Sequence, residues 1–171
     1  MKKMFLAVLG TLALAALPMI GYAANGRGTA KITLNGKSVS VEYGKPSLNG
    51  RKVEDLLGQL PAGQVWRLGA DKSTTFTTSA DLMFGDKTVP KGEYSLWARK
   101  EADGGWNLVF NKKHGQWGTD HDDAEDLVSV PLKEEKAGKS SETVEITLEK
   151  EKGAGEISVT WGNMELSGTF K

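Results

Sequence analysis

The most informative segment of the chain is VWRLGADKSTTFTTSADL, residues 65–82. It begins with the adjacent pair Trp66 and Arg67 and reaches a glycine at Gly69. The following residues 74–78, TTFTT, combine β-branched and aromatic side chains, which are favoured in strands for steric reasons. The segment therefore predicts a strand that follows a glycine bend, with an aromatic ring and a guanidinium group just before that bend.

The residues before this segment predict a hairpin and a short helix. Residues 29–34 and 37–43 alternate apolar with polar side chains, and Asn-Gly lies between the two runs at positions 35 and 36. Asn-Gly between alternating runs predicts a β-hairpin, because both turn positions need a positive φ. Residues 53–60 place their apolar side chains at the spacing of one helical face, which predicts a helix of one or two turns.

The residues after it predict further short strands with glycine-rich turns between them. These strands are expected at residues 81–84, 87–89, 93–100, 106–111, 127–132, 143–148 and 157–161. The polar and charged residues 133–141 are expected to form a solvated loop. Many short alternating strands with one small helix predict an all-β fold, an antiparallel β-sandwich.

The first 23 residues have the pattern of a secretory signal peptide. Two lysines precede an apolar run over residues 5–16, and a small-x-small sequence ends at Ala23. The apolar run is short for a membrane span, which needs about 20 residues. We expect cleavage after Ala23, a single domain over residues 24–171, and a periplasmic or secreted protein with no stable membrane span. The chain contains no cysteine, so neither a lipoprotein anchor nor a disulfide is expected.

The charge distribution argues against nucleic acid as a partner. The chain has 22 basic and 22 acidic residues, and no basic run is interleaved with aromatic side chains. The sequence leaves the oligomeric state open.

Several short motifs resemble a bacterial secreted family known only as domain of unknown function 2911. The resemblance covers residues 31 to 160 and depends on YGKPS at 43–47, VWR at 65–67, GA at 69–70, PKGEYSL at 90–96, FNK at 110–112 and QWG at 116–118. It implies a shared fold and export, and it implies no particular reaction. The chain departs from the family where Lys45 replaces the usual Arg, and where Asp71-Lys72-Ser73 replace the usual Asn-Glu-Ala.

Arg67 is the centre of the predicted binding site. A guanidinium fork suits a carboxylate or phosphate ligand, and loops on a rigid sheet usually carry function. Lys45 and Arg51 lie in the loop after the first hairpin, so three cations would meet if that loop approaches the Gly69 bend. The structural alternative is that Asp71 or Asp55 neutralises Arg67 within the fold.

Large aromatic and amide side chains complete the predicted site. Trp97 alternates with the apolar residues of its strand, so it is expected to face outward or into a second layer. An exposed Trp with Arg and Asn nearby suits a sugar or peptide ligand. The full set of candidate ligand-binding residues is Tyr43, Lys45, Arg51, Trp66, Arg67, Trp97, Asn111 and Trp117.

The two histidines give a weaker case for chemistry. His114 and His121 lie near an acidic run at residues 120–126, but their spacing matches no metal motif, and no metal or other cofactor is predicted. No nucleophile motif occurs either. The sequence therefore favours non-catalytic binding of a small ligand or a cell-envelope component. The alternatives are a secreted hydrolase that uses His114 and the acidic loop, and a purely structural accessory protein.

Overall fold

The computed structural model describes residues 25–171, so the predicted signal peptide lies outside the described residues. These residues form mostly antiparallel strands, which confirms the predicted all-β class. No helix in this range is long and apolar enough to cross a membrane. The elements are β1 Gly26–Leu34, β2 Lys37–Lys45, α1 Val53–Leu57, β3 Val65–Trp66, β4 Thr75–Thr78, β5 Leu82–Phe84, β6 Lys87–Val89, β7 Gly92–Lys100, β8 Trp106–Asn111, β9 Asp126–Glu151 and β10 Ala154–Phe170.

The first hairpin forms as the Asn-Gly turn predicts. Strands β1 and β2 pair antiparallel up to Leu34 and Lys37, which leaves two residues in the turn. Asn35 has φ 51° and Gly36 has φ 79°, the left-handed values that such a turn requires.

The main sheet contains eight strands and nearly closes on itself. Its strand order is β1-β2-β4-β7-β8-β9-β10, with β3 added on β7, while β5 and β6 form a separate two-stranded sheet. The chain leaving β2 reaches β9, where Ser47 bridges Thr143 and Val144 N donates to Pro46 O at 3.1 Å. The two halves of the curved sheet therefore face each other across one core, as in a sandwich.

Aromatic rings fill the centre of that core. Phe110 lies 5.2 Å from Phe76 and 5.2 Å from Phe84, measured between ring centroids. Phe84 lies 5.2 Å from Phe170 near the end of the last strand. Such tilted and edge-on pairs stabilise a core beyond the area they bury.

The expectation of a loop at residues 133–141 is wrong. These residues belong to β9, which continues without a break from Asp126 to Glu151. Lys133 pairs with Ser167 and Lys136 pairs with Met164 on β10. Most side chains of this segment are exposed, so a solvated strand has the same composition as a solvated loop. The hydrogen-bonding partner decides between the two, and that partner lies about thirty residues away in β10.

Strand β7 is buried on both faces, and its second face supports the candidate site. Tyr94, Leu96 and Ala98 belong to the main core. Ser95 and Trp97, on the opposite face, are also buried. The segment of residues 112–125 contacts that second face, and we call this segment the covering loop.

Candidate functional site

Two segments that are distant in sequence meet through their backbones. A Cβ atom at Gly44 would lie 2.1 Å from Ala70 O, and a Cβ at Gly69 would lie 3.1 Å from Gly44 O. No side chain fits at 2.1 Å from a backbone oxygen, so position 44 requires glycine, and position 69 is also tightly enclosed. This contact attaches the end of β2 to the bend that follows Trp66 and Arg67.

The bend contains two strained residues. Leu68 has φ 52° and Asp71 has φ 62°, left-handed values that cost about 1–2 kcal/mol for residues other than glycine. Leu68 is fully buried, and its carbonyl accepts a hydrogen bond from Thr74 Oγ1 at 3.0 Å. Strain of this kind persists only where the surroundings enforce it, and it concentrates at functional sites. Here one of the two strained residues, Leu68, directly follows Arg67 in the chain.

Arg67 is half-buried, and the part of the chain that the structure describes offers it no charged partner. Its stem lies along the covering loop, with Cδ 3.1 Å from the position of a Cβ at Gly118. Among residues 25–171, no carboxylate forms an ion pair with it. The internal counter-charges considered from the sequence, Asp71 and Asp55, therefore do not neutralise this guanidinium.

Arg67 lines a cleft of about 700 Å³ between α1, the bend and the covering loop. Arg51, Leu56 and Leu60 contribute to the side of α1 and the loop before it. His121 and Asp123 contribute from the covering loop. The inner wall consists of three buried tryptophans, Trp66, Trp97 and Trp161.

The tryptophans of the inner wall are ordered by stacking. Trp66 stacks on Trp161 with centroids 5.6 Å apart and planes within 10°, and Trp106 meets Trp66 edge-on at 6.4 Å. Trp161 Nε1 has no hydrogen-bond partner, and among residues 25–171 it is the one buried side-chain nitrogen or oxygen in that condition. Buried donors normally have a hydrogen-bond partner. The N–H of Trp161 is therefore an unused donor in the wall of the cleft.

His121 is held at the cleft by a carboxylate behind it. Its Nε2 lies 2.9 Å from Asp126 Oδ1, and its ring packs on Trp97 with centroids 4.7 Å apart. The side chain is only 10% exposed. Packing on one face and a carboxylate on one nitrogen fix the orientation of this imidazole ring.

Asp126 is itself fixed by two further donors. Arg99 Nη2 donates to Asp126 Oδ2, and Asn111 Nδ2 donates to Asp126 Oδ1 at 2.7 Å. Asn111 is fully buried and also donates to Asp122 O at 2.8 Å. The network thus joins β7, β8 and the start of β9 to the covering loop that carries His121.

The same network defines which residues could hold a metal ion. His121, Asp123 and Asp126 each offer one ligand atom, and these atoms lie within 4.8 Å of one another. However, Arg99 already contacts both carboxylates, at 3.2 Å in the case of Asp123. His114 pairs instead with Glu93, Nδ1 to Oε1, at 3.3 Å. The expectation that no metal is bound stays a prediction.

A second polar cluster attaches the covering loop to β7. Ser95 Oγ donates to Lys113 O at 2.7 Å and accepts from Trp97 Nε1 at 2.8 Å. Gln116 Nε2 also donates to Ser95 Oγ, at 3.3 Å. The sequence did not single out Ser95, Gln116 or Arg99 as site residues, and it included Asp126 only as one member of the acidic run at residues 120–126. Alternation along β7 places Ser95, Trp97 and Arg99 on one face, and that pattern was the available signal.

Four of the eight candidate residues line the cleft together. These are Arg51, Trp66, Arg67 and Trp97. Trp97 belongs to the second layer beneath His121, the second of the two orientations considered for it.

The other four candidates do not line the cleft. Tyr43 is buried, and its hydroxyl donates to Ile146 O at 3.3 Å. Lys45 ends β2 without reaching the cleft, so the expected meeting of three cations reduces to Arg51 and Arg67. Asn111 supports Asp126 from behind. Trp117 lies on the outer surface of the covering loop.

The loop that carries Arg51 is braced by hydrogen bonds. Arg51 donates through Nε to Leu48 O at 2.8 Å and through Nη2 to Ser47 O at 3.2 Å. Glu142 accepts from Ser47 Oγ at 2.7 Å and from Asn49 N at 2.8 Å, and these bonds lower the pKa of its carboxyl. The stabilisation they contribute is therefore present above the ordinary pKa of Glu and is lost as the pH falls through the lowered value.

The fold and the cleft define an all-β protein with a strongly curved antiparallel sheet and a cleft lined by two arginines, Arg51 and Arg67, and one carboxylate, Asp123. The chain belongs to the family described as proteins of unknown function, DUF2911, whose model matches residues 26–170. It matches no curated protein and no solved structure. The family assignment agrees with the resemblance carried by the sequence motifs.

Proposed function

We propose that this protein is exported and binds a small anionic ligand in the cleft, with Arg67 as the group that holds the anion and without catalysing a reaction. The observation that carries this proposal is that Arg67 faces the cleft with no ion-pair partner among residues 25–171. A half-buried guanidinium without a carboxylate favours an external anion, because partial burial strengthens its electrostatic interactions.

The rest of the cleft suits a ligand with an anionic group and a less polar body. Arg51 adds a second positive charge to the same cavity, and its braced guanidinium acts on the ligand mainly through its field. Leu56 and Leu60 offer apolar surface in the same cleft. A cavity of about 700 Å³ falls within the size range of small-molecule sites.

Replacing Arg67 with alanine tests this proposal. The probes are two small anions, galacturonate and inorganic phosphate. We expect Arg67→Ala to weaken the binding of either anion by about tenfold or more, because a hydrogen bond to a charged group contributes about 1.5–3 kcal/mol. The melting temperature should stay near that of the wild type, since no internal ion pair is lost. Isothermal titration calorimetry and thermal unfolding measure the two quantities.

Lys52→Ala is the matched control, because Lys52 is an exposed cation beside Arg51 that does not line the cleft. It should leave both affinity and melting temperature unchanged. A large loss of stability in Arg67→Ala, with anion binding retained, would assign Arg67 a structural role and refute the proposal.

The pairing of His121, which lines the same cleft, with Asp126 behind it favours a second candidate, a hydrolase. Hydrolysis through His114 has less support, because His114 pairs with Glu93 and does not line the cleft. If His121 is the base, Nε2 donates to Asp126 and Nδ1 accepts a proton from the water that attacks the acyl or phosphoryl centre of the bound ester. The bond to the leaving alcohol breaks, and the alcohol oxygen takes that proton from Nδ1. Asp123 lies 3.3 Å from that nitrogen and is 85% exposed, so its side chain would have to move aside.

Turnover measurements separate the two candidates. If His121 is a general base, His121→Gln should lower any hydrolysis of p-nitrophenyl acetate or p-nitrophenyl phosphate by about 100-fold, the lower range for such a group. Binding of galacturonate should persist in that variant. Wild-type protein that hydrolyses neither ester faster than His121→Gln would eliminate the hydrolase and leave the binding proposal intact.

A further inference from the structure

Trp117 is the most exposed large hydrophobic side chain among the described residues. It is 57% exposed, against 43% for Met83 and 40% for Leu127. A tryptophan in this position offers a flat apolar face together with an N–H donor at its edge. The cleft that contains Arg67 does not explain this exposure, because Trp117 is not one of the residues that line it.

The backbone around Trp117 is held rigidly. Trp117 forms a bridge with Lys72, and Ser73 N donates to Gln116 O at 2.9 Å. Gly118 N donates to Asp71 O at 2.7 Å, and Trp117 O accepts from Asp120 N at 3.0 Å. A side chain presented on a fixed backbone loses little entropy when a ligand packs against it.

Trp117 lies between two depressions of the surface. On one side, its neighbours Gly118 and Thr119 line the cleft that contains Arg67. On the other side, Gly115 and Lys72 line an open groove of about 530 Å³. The remaining lining of that groove is polar or charged: Arg27, Glu42, Ser73, Thr75, Thr77 and Glu93.

We infer that the ligand is an acidic oligosaccharide that extends from the cleft over Trp117 into this polar groove. The inference rests on the proposed function, since the acid group of one sugar is held by Arg67. A neighbouring pyranose ring stacks its apolar C–H face on Trp117. Hydroxyls of the next sugar bond to the threonines and carboxylates of the groove, which supply both donors and acceptors.

The chemistry of the groove favours a sugar over a lipid or an apolar peptide. None of its lining residues is a large aliphatic or aromatic side chain, so an acyl chain or a hydrophobic residue would find no burial there. A saccharide combines one apolar ring face with a rim of hydroxyls, and Trp117 and the groove offer the corresponding pair of surfaces.

The test compares galacturonate, trigalacturonate and neutral maltotriose, with binding measured by calorimetry and by tryptophan fluorescence. Trigalacturonate should bind about tenfold tighter than galacturonate, which corresponds to about 1.4 kcal/mol for one aromatic contact. Trp117→Ala should remove this gain without changing the affinity for galacturonate, and Trp117→Tyr should keep part of it. Leu127→Ala, which truncates another exposed hydrophobic residue, should change neither affinity.

Three results with the saccharides would overturn the inference. They are equal affinities for the one-sugar and three-sugar acids, an unchanged gain in Trp117→Ala, and maltotriose that binds as tightly as trigalacturonate. If galacturonate binds in an Arg67-dependent manner while chain length adds nothing, only this inference fails. If Arg67→Ala changes the binding of no anion tested, the proposed function fails with it. A peptide result would also overturn the inference of an oligosaccharide. This result is an acidic peptide containing tyrosine that binds more tightly than trigalacturonate and loses that binding in Trp117→Ala.

Discussion

Asp126→Ala is expected to lower the free energy of unfolding by about 3 kcal/mol or more, the cost of removing one partner from a largely buried ion pair. Asp126 is 16% exposed and accepts hydrogen bonds from Arg99, Asn111 and His121. Its loss leaves the Arg99 guanidinium with only the exposed carboxylate of Asp123, and the buried Asn111 amide with only Asp122 O as an acceptor. Urea unfolding followed by tryptophan fluorescence measures the change.

Asp123→Ala is the matched control for this effect. Asp123 contacts the same Arg99 at 3.2 Å, but its side chain is 85% exposed, and exposed ion pairs contribute little. We expect a change within about 0.5 kcal/mol. Equal destabilisation by the two alanine variants would show that Asp126 is not the centre of the network.

Asp126→Asn separates charge from shape. The amide keeps the volume and one acceptor oxygen, but it removes the negative charge opposite Arg99. A loss close to that of Asp126→Ala would attribute the stabilisation to charge. A much smaller loss would attribute it to the hydrogen bonds with Asn111 and His121.

Gly44→Ala is expected to destabilise the fold by about 3 kcal/mol or more, the upper range for forcing a methyl group into packed surroundings. The new Cβ would lie 2.1 Å from Ala70 O, a backbone atom that cannot rotate away. Either β2 or the bend at residues 68–71 must move. Because this bend directly follows Arg67, we expect any folded fraction also to bind anions more weakly.

Gly138→Ala is the control for a glycine of the same sheet. Gly138 is exposed in β9, and a Cβ there would meet nothing within 4 Å. Its change in stability should stay within about 0.5 kcal/mol. Thermal unfolding of both variants makes the comparison, and a Gly44→Ala protein as stable as Gly138→Ala would contradict the close backbone contact.

The sequence predicted those parts of the fold that depend on neighbours in the chain. The Asn35-Gly36 turn, the helix that begins at Val53 and the alternating strands each follow from a pattern within about ten residues. Residues 133–141 show the limit of this reasoning. Their charges are compatible with solvent in either state, and the pairing with β10 is invisible to local periodicity.

The candidate site likewise has features that the sequence predicted and features that only the fold decides. Arg67 could be chosen from its motif and from its place beside a glycine bend, and Arg51 from the loop that was expected to approach it. The absence of a counter-ion for Arg67 could not be predicted, since Asp55 and Asp71 were available in sequence. Only the folded chain shows that neither forms an ion pair with it.

Tertiary structure alone brought the second half of the site together. His121 reaches the cleft because Asp126 holds it, and Asp126 lies opposite Asn111 in the register of β8 and β9. Trp97 was placed beneath His121 by the covering loop, which hydrogen-bonds to Ser95 on the second face of β7. Local residue types specify strands and turns because their energetics act over a few residues. The partner of a buried polar group is decided by which distant strands and loops the core forces into contact.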